Sequence, residues 1–167
     1  MGCGKKDDFD RDINCVCEVV RAIKDIQDSA EDNCECPTNC FSEPLGSLVS
    51  PISNRVDTRV FVLKTKDGSP FHAFFRNHDC ACISIFFRVE DIFDKCCAVL
   101  RVLEPLKVVH TSPLKFETVN LAGDKGVDLG KICKVDDFRA TNDCITVDLS
   151  CFCAVQCLKD VHLGICD

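Results

Sequence analysis

Two runs of sequence decide the fold: CISIFFRV at residues 82–89 and CCAVLRVL at residues 96–103. In the first, Ile83, Ile85, Phe87 and Val89 recur at every second position, the period of a strand with one face against a core. The second is nearly all apolar, as expected of a central strand. Working outward, Arg59–Thr65 and Pro70–Arg76 flank Lys66-Asp67-Gly68-Ser69, a hairpin signal because Gly tolerates positive φ. Asp143–Ser150 alternates Ile145, Val147 and Leu149 against Thr146 and Asp148. Between these lie a shorter strand near Lys115–Val119 and a Gly-rich loop, Ala122–Gly130. Near the N-terminus Asn14 can cap a helix running to about residue 28. Val16, Val19, Val20, Ile23 and Ile26 share one face of it.

These elements predict a mainly β domain, an antiparallel sheet or sandwich, with an N-terminal α-helix. Residues 1–13 read as a flexible charged arm and 14–167 as one Cys-rich domain. Within it the helix covers about 14–28, a loop with Pro37, Pro44, Gly46 and Pro51 about 29–58, the β region about 59–158, and a tail 159–167. Asp8, Asp10 and Asp12 alternate like the start of a calcium loop, but Ile13 stands where that loop needs Gly.

The chain has 16 cysteines in 167 residues, a share that belongs to covalently stapled proteins. Yet 46% of residues are hydrophobic and 12 are Phe, so a core can form without disulfides. The net charge of −7 and the scattered Lys and Arg argue against nucleic acid as a partner. No apolar run approaches the roughly 18 residues of a membrane span. The N-terminus lacks the apolar stretch of a signal peptide, and Lys6 stands where a myristoylation signal wants Ser or Thr. Synthesis in a reducing cytosol is therefore expected, where disulfides rarely persist.

The cysteines come in doublets and triplets: Cys15/Cys17, Cys34/Cys36/Cys40, Cys80/Cys82, Cys96/Cys97 and Cys151/Cys153/Cys157, with Cys3, Cys133, Cys144 and Cys166 alone. Cys-x-Cys in a strand places both side chains on one face roughly 6.6 Å apart at Cα. That spacing, with parallel Cβ vectors, is poor disulfide geometry. Cys96 and Cys97 point to opposite faces of their strand. Most doublets should therefore pair outward, each sulfur with a different partner. On the helix, Cys15 aligns with Val19, Ala22 and Ile26 beside the apolar face. Cys17 aligns with Arg21, Lys24 and Asp28 on the wet side.

Zinc is the rival use of these thiols. Zinc sites favour Cys spaced by two to four residues, and Cys-x2-Cys is absent from the sequence. Cys-x3-Cys does occur, at Cys36/Cys40 and Cys153/Cys157, and two such triplets could share a metal. The missing Cys-x2-Cys also argues against thioredoxin-like redox chemistry. His78 lies two residues before Cys80, a Cys–His arrangement whose ordinary reading is a surface loop histidine. His72, His110 and His162 carry no motif, and no phosphate loop, nucleophile elbow or zinc-protease motif is present. The expected cofactor is none and the expected catalytic site is none.

Several segments resemble one family: GCGK (2–5), NCVCEVVRAI (14–23), CPTNCF (36–41), SIFFRVEDI (84–92), CCAVLRVLEP (96–105) and ITVDLSCFCAVQCL (145–158). Together they are similar to the cysteine-rich spore coat proteins Y and Z and exosporium protein Y of endospore-forming bacilli. The last is the most specific, a strand running into Cys-x-Cys-x3-Cys. The resemblance implies a structural protein of the outer coat, crust or exosporium basal layer. Such a protein self-assembles into an ordered, usually hexagonal, disulfide cross-linked lattice. It also implies synthesis in the mother-cell cytoplasm and oxidation as that compartment decays. The implied partners are other copies, in a ring-forming homo-oligomer, and other coat or exosporium proteins, with no nucleic acid and no membrane. On this reading Cys3, Cys15, Cys17, Cys34, Cys36 and Cys40, on a terminus, a helix and a Pro-rich loop, are the candidates for links between subunits, with Cys144 a further one. Cys82, Cys97, Cys151 and Cys153 are the buried or intrachain candidates.

Overall fold

A computed structural model describes residues 14–31, 56–77 and 81–165. Helix α1 spans Cys15–Glu31, one turn beyond the expected end. Asn14 caps it: its Oδ1 accepts from the backbone N–H of Val16 at 3.1 Å and of Cys17 at 3.3 Å. The strands are β1 (Thr58–Lys64), β2 (Ala73–Arg76), β3 (Ala81–Ser84), β4 (Phe87–Phe93), β5 (Cys97–Val109), β6 (Lys115–Thr118), β7 (Ala122–Gly123), β8 (Gly126–Val127), β9 (Asp137–Asp148) and β10 (Ala154–Val161). Short 3-10 helices at Leu129–Lys134 and Leu149–Cys151 lead into and out of β9. The chain is thus mainly β with an N-terminal helix, as its periodicities predict.

The main sheet is antiparallel in the order β10-β1-β4-β5, with β5 as its spine. One edge of β5 pairs with β9, from Cys97↔Asp148 to Leu106↔Asp137. Its other edge pairs first with β4 and then with β6. Irregularities in register at Val60/Phe61, Val89/Asp91 and Arg101/Leu103 bend these strands.

Both faces of the sheet are covered, which explains the unbroken apolar runs. On one face Phe61 and Leu63 of β1 join Phe87, Val89, Ala98 and Leu100 beneath α1 and the β2–β3 hairpin. On the other, Val60 and Val62 join Ile85, Phe86, Leu103 and Leu121, packed by Val127, Ile132, Val135 and Phe138.

Three expectations are corrected. Residues 82–89 are not one strand: β3 ends at Ser84 and pairs with β2, β4 begins at Phe87 in the main sheet, and Ile85 packs in the opposite core from Phe87 and Val89. The Gly68 turn forms, with φ of 82°, and Phe71 N–H reaches Leu63 O at 2.8 Å. The second arm then leaves β1 and pairs with β3 instead, from Ala73↔Ser84 to Arg76↔Ala81. All of β1 is taken by β10, from Thr58↔Val161 to Lys64↔Ala154, a competitor nearly a hundred residues away in sequence. The helix is also rotated from its expected seating. Val16, Cys17, Val20, Ile23 and Gln27 face inward, while Val19 and Ile26 are 41% and 49% exposed. Its apolar arc is wider than the sheet surface beneath it. Polar contacts choose the half that is covered: Gln27 Nε2 donates to Val89 O at 2.8 Å, and its Oε1 accepts from Arg59 N–H at 3.2 Å.

Candidate functional site

The first turn of α1 meets the β4–β5 turn, where Asp94 adopts φ of 51°, a left-handed conformation that Asp tolerates. Arg21 Nη2 donates to Lys95 O at 2.9 Å, holding the turn against the helix. Next to that contact Cys17 is bonded to Cys96, with 5.7 Å between Cα atoms and 79 residues between them in sequence. The Cα separation lies inside the ordinary disulfide range.

More sulfur gathers at this end of the sheet. Cys97, half-buried, pairs with Asp148 in the β5–β9 ladder, and Leu149 N–H donates to Cys96 O at 2.9 Å. The chain then passes through Leu149–Cys151, where Cys151 is disulfide-bonded. Phe152 packs edge-on against Phe71 with centroids 5.0 Å apart. Cys15 projects from the start of α1. At the other end of the sheet, beside the turn that follows β1, the thiol of Cys153 donates to Thr65 O at 3.0 Å.

The remaining described cysteines are dispersed. Cys82 is 3% exposed in the core beneath α1. Cys133 is exposed on the 3-10 helix before β9, and Cys157 is exposed on the edge strand β10. Cys144, also exposed, lies opposite Arg101. Partial burial raises its thiol pKa, Glu90 and Asp143 add to the rise, and Arg101 opposes it.

Two placements correct the sequence reading. Cys17, expected on the wet side and reaching a neighbour, is 3% exposed and bonded within its own chain. The rotation of α1 carries Cys17 to the sheet and turns Cys15 to solvent. Cys153, grouped with the buried cysteines, is exposed, because its residue is a bend ahead of β10 rather than part of a packed strand. Cys3, Cys34, Cys36, Cys40 and His78 lie outside the described residues. Sequence reasoning did not nominate Cys96 as the partner of Cys17, and no local signal could have. Cys133 and Cys157 were also passed over. The polar flanks of Cys157, in Gln156 to Asp160, mark an edge strand and could have identified it.

A second electrostatic knot lies at the opposite end of β1. The Asp57 carboxylate, 4% exposed, accepts from Leu163 N–H and Ile165 N–H, both at 2.9 Å, and from Thr58 Oγ1 at 2.8 Å. Burial raises its pKa and is the largest single influence. The hydrogen bonds from Leu163, Ile165 and Thr58, with nearby His162, together outweigh it and hold the carboxyl below its ordinary value. This knot ties the end of the β region to the start of β1.

Among the described residues no three His, Cys, Asp or Glu side chains are placed to share a metal ion, and no helix is long and apolar enough to cross a membrane. Fold and thiols together define a cysteine-rich β domain, internally packed, with sulfur as its most reactive surface group. The chain belongs to the spore coat protein Z family, whose profile matches residues 1–160. It is 35% identical over 151 residues to spore coat protein Z of Bacillus subtilis (strain 168), covering 87% of this chain and 89% of that protein. No solved structure matches it.

Proposed function

We propose that this protein is a structural component of the spore surface, in the outer coat, crust or exosporium basal layer, that assembles into an ordered, disulfide cross-linked layer. Its partners are other copies of itself and other coat proteins. One observation carries the reading: Cys15, Cys133, Cys144, Cys153 and Cys157 are exposed and outside any disulfide, on a domain whose two cores are already closed. These thiols close no disulfide within the fold, and they sit on α1, the 3-10 helix, β9, the bend before β10, and β10. A tile with reactive groups on several elements can bond to several neighbours, which a lattice requires and a single dimer does not. Cys3, Cys34, Cys36 and Cys40, which lie outside the described residues, are proposed as further links between subunits. Synthesis as a reduced chain in the mother cell, followed by oxidation after packing, lets non-covalent contacts set the positions that disulfides then lock.

The test is electron microscopy of purified protein before and after oxidation, with gels run with and without reductant. Ordered sheets, and high-molecular-weight bands that collapse on reduction, are expected. Oxidised protein that stays monomeric and carries stoichiometric zinc would overturn the proposal.

A further inference from the structure

The outer strands of the main sheet are finished differently. In β10 an irregularity opposite Val60 and Phe61 leaves Leu158 without a ladder partner, and Lys159 and Asp160 follow it. Bulges and charges of this kind keep an edge from meeting another strand. Residues 144–148, at the end of β9, carry no such guard. They run in unbroken register with β5, from Arg101↔Cys144 to Cys97↔Asp148. Ile145, Thr146 and Val147 are β-branched, the residue type that favours strands, and Asp148 alone is charged. Leu149 N–H donates to Cys96 O at 2.9 Å. Bonded pairs alternate along an antiparallel ladder, so Val147 and Ile145 also bond to β5. Cys144, Thr146 and Asp148 therefore turn their N–H and C=O groups outward. All three residues are exposed, and no other described backbone group meets them.

We propose that this edge pairs with the same edge of a second copy, antiparallel about a two-fold axis through Thr146, so that the sheet runs on from one molecule into the next. The proposal rests on the self-assembly reading and names one interface within it. A row of free backbone donors and acceptors is a surface to which a strand adds. The added strand must have a free edge of its own. Among the outer strands of the main sheet β9 offers the unguarded one, since β10 is bulged and β6 is a four-residue strand carrying Lys115 and Glu117. The same patch on both copies makes the contact self-complementary, as a two-fold requires.

Length and charge set the register. With Thr146 on the axis the whole of residues 144–148 overlaps. Cys144 then pairs with Asp148 and Thr146 with Thr146, giving about six hydrogen bonds in all. Thr opposite Thr is a favourable cross-strand pair. Asp148 lies opposite Cys144 of the other copy, on the face where Cys144 adjoins Arg101. Arg101 shares Glu90 with Arg88, so that group carries a net positive charge. A parallel pair sets Asp148 beside Asp148 instead. So short a seam falls well short of the roughly 800 Å² per partner of a standard stable interface. It forms within the layer, where other contacts add to it. Cys144 faces a carboxylate across it rather than a thiol, which leaves cross-linking to the exposed thiols on other elements.

The experiment uses the full chain carrying Thr146→Cys, with ordinary and nitrogen-15-labelled protein mixed before oxidation and the cross-linked peptides mapped by mass spectrometry. A bonded pair places its Cα atoms about 5.5 Å apart, within disulfide range. Oxidation joins the two thiols in one bond, with two electrons and two protons passing to dissolved oxygen. Peptides joining position 146 of a labelled chain to position 146 of an unlabelled one are expected, with no bond between Cys144 and Cys144. Thr146→Lys, at an exposed position, sets two lysines face to face on the axis. Cys144 in assembled wild type should be alkylated about fivefold more slowly than in Thr146→Lys, each rate taken relative to the same chain as dilute monomer. Absence of the link at position 146, a Cys144–Cys144 bond, or Cys144 equally open in both assemblies would overturn the proposal. Micrographs of the same samples separate the two readings. Ordered layers without the link sink this interface alone. The link without layers leaves a pair of copies and sinks the layer, and the absence of both sinks both.

Discussion

Removing the Cys17–Cys96 bond should weaken the domain without releasing its helix. The bond closes a loop with a sequence separation of 79 residues. For a loop of that size, chain-entropy reasoning sets the stabilisation at about 4.5 kcal/mol, and measured values fall mostly between about 2 and 4. The helix has other attachments. Val16, Val20 and Ile23 are at most 2% exposed, and each such side chain contributes about 1.5–3 kcal/mol by burial. Gln27 adds two hydrogen bonds to the sheet. Cys17→Ala/Cys96→Ala should therefore lose about 2–4 kcal/mol, or about 4–16 °C in melting temperature for a chain of this size, while keeping its native helical signal. The assay is urea and thermal unfolding of oxidised monomers whose exposed thiols have been alkylated, beside the same proteins after reduction. Reduced wild type and reduced variant should coincide. A variant that loses its helical circular dichroism would refute the argument, since burial would then not suffice to hold α1. So would oxidised wild type no more stable than the variant.

Three further outcomes are expected. Leu100→Ala, at a fully buried position in the spine strand, should cost about 2–5 kcal/mol in the urea-unfolding free energy; Thr146→Ala, exposed on the neighbouring strand, should change it little. The folded-state pKa of Asp57 lies below its ordinary 3.8, so its contribution is fully present above the unfolded value and is lost as pH falls through the folded one. Asp57→Asn should accordingly be less stable at neutral pH and should lose less further stability on acidification than wild type, as read from unfolding midpoints across that window. Because the Cys144 thiol is raised, its thiolate fraction near neutral pH is reduced. Alkylation followed by mass spectrometry should find it modified more slowly than a free cysteine peptide at the same pH.

The legible parts of this protein were those written in local pattern. Alternation through Ile145 to Leu149 marked a strand, whereas that through Ile83 to Val89 ran across the break between β3 and β4, with Ile85 in one core and Phe87 and Val89 in the other. The apolar run at Cys96–Leu103 marked the spine, and Asn14 marked the start of the helix. Local pattern also brought Gly68 to a turn, but it could not say that the strand beyond would abandon β1. The seating of α1 was misread for a related reason. Its apolar arc runs from Ala22 round to Val20, and a helical wheel does not say which part a sheet will cover. Sulfur followed the helix: with α1 rotated, Cys17 went inside and Cys15 outside. Cys153 escaped for want of a signal that its residue is a bend.

By itself the amino-acid sequence determined the class of fold, the family, and the presence of far more thiols than a packed β domain needs. Those properties follow from periodicity, composition and short motifs, each readable within a few residues. Which thiols the fold consumes and which it leaves outward was decided only in three dimensions. Cys17 and Cys96 are neighbours because β4 and β5 fold back beneath the first turn of a helix 79 residues away. Cys157 is exposed because β10 closes against β1 and ends the sheet at its own edge. A disulfide requires two Cα atoms within about 7 Å, and chain separation carries no information about that distance until the sheet order is set.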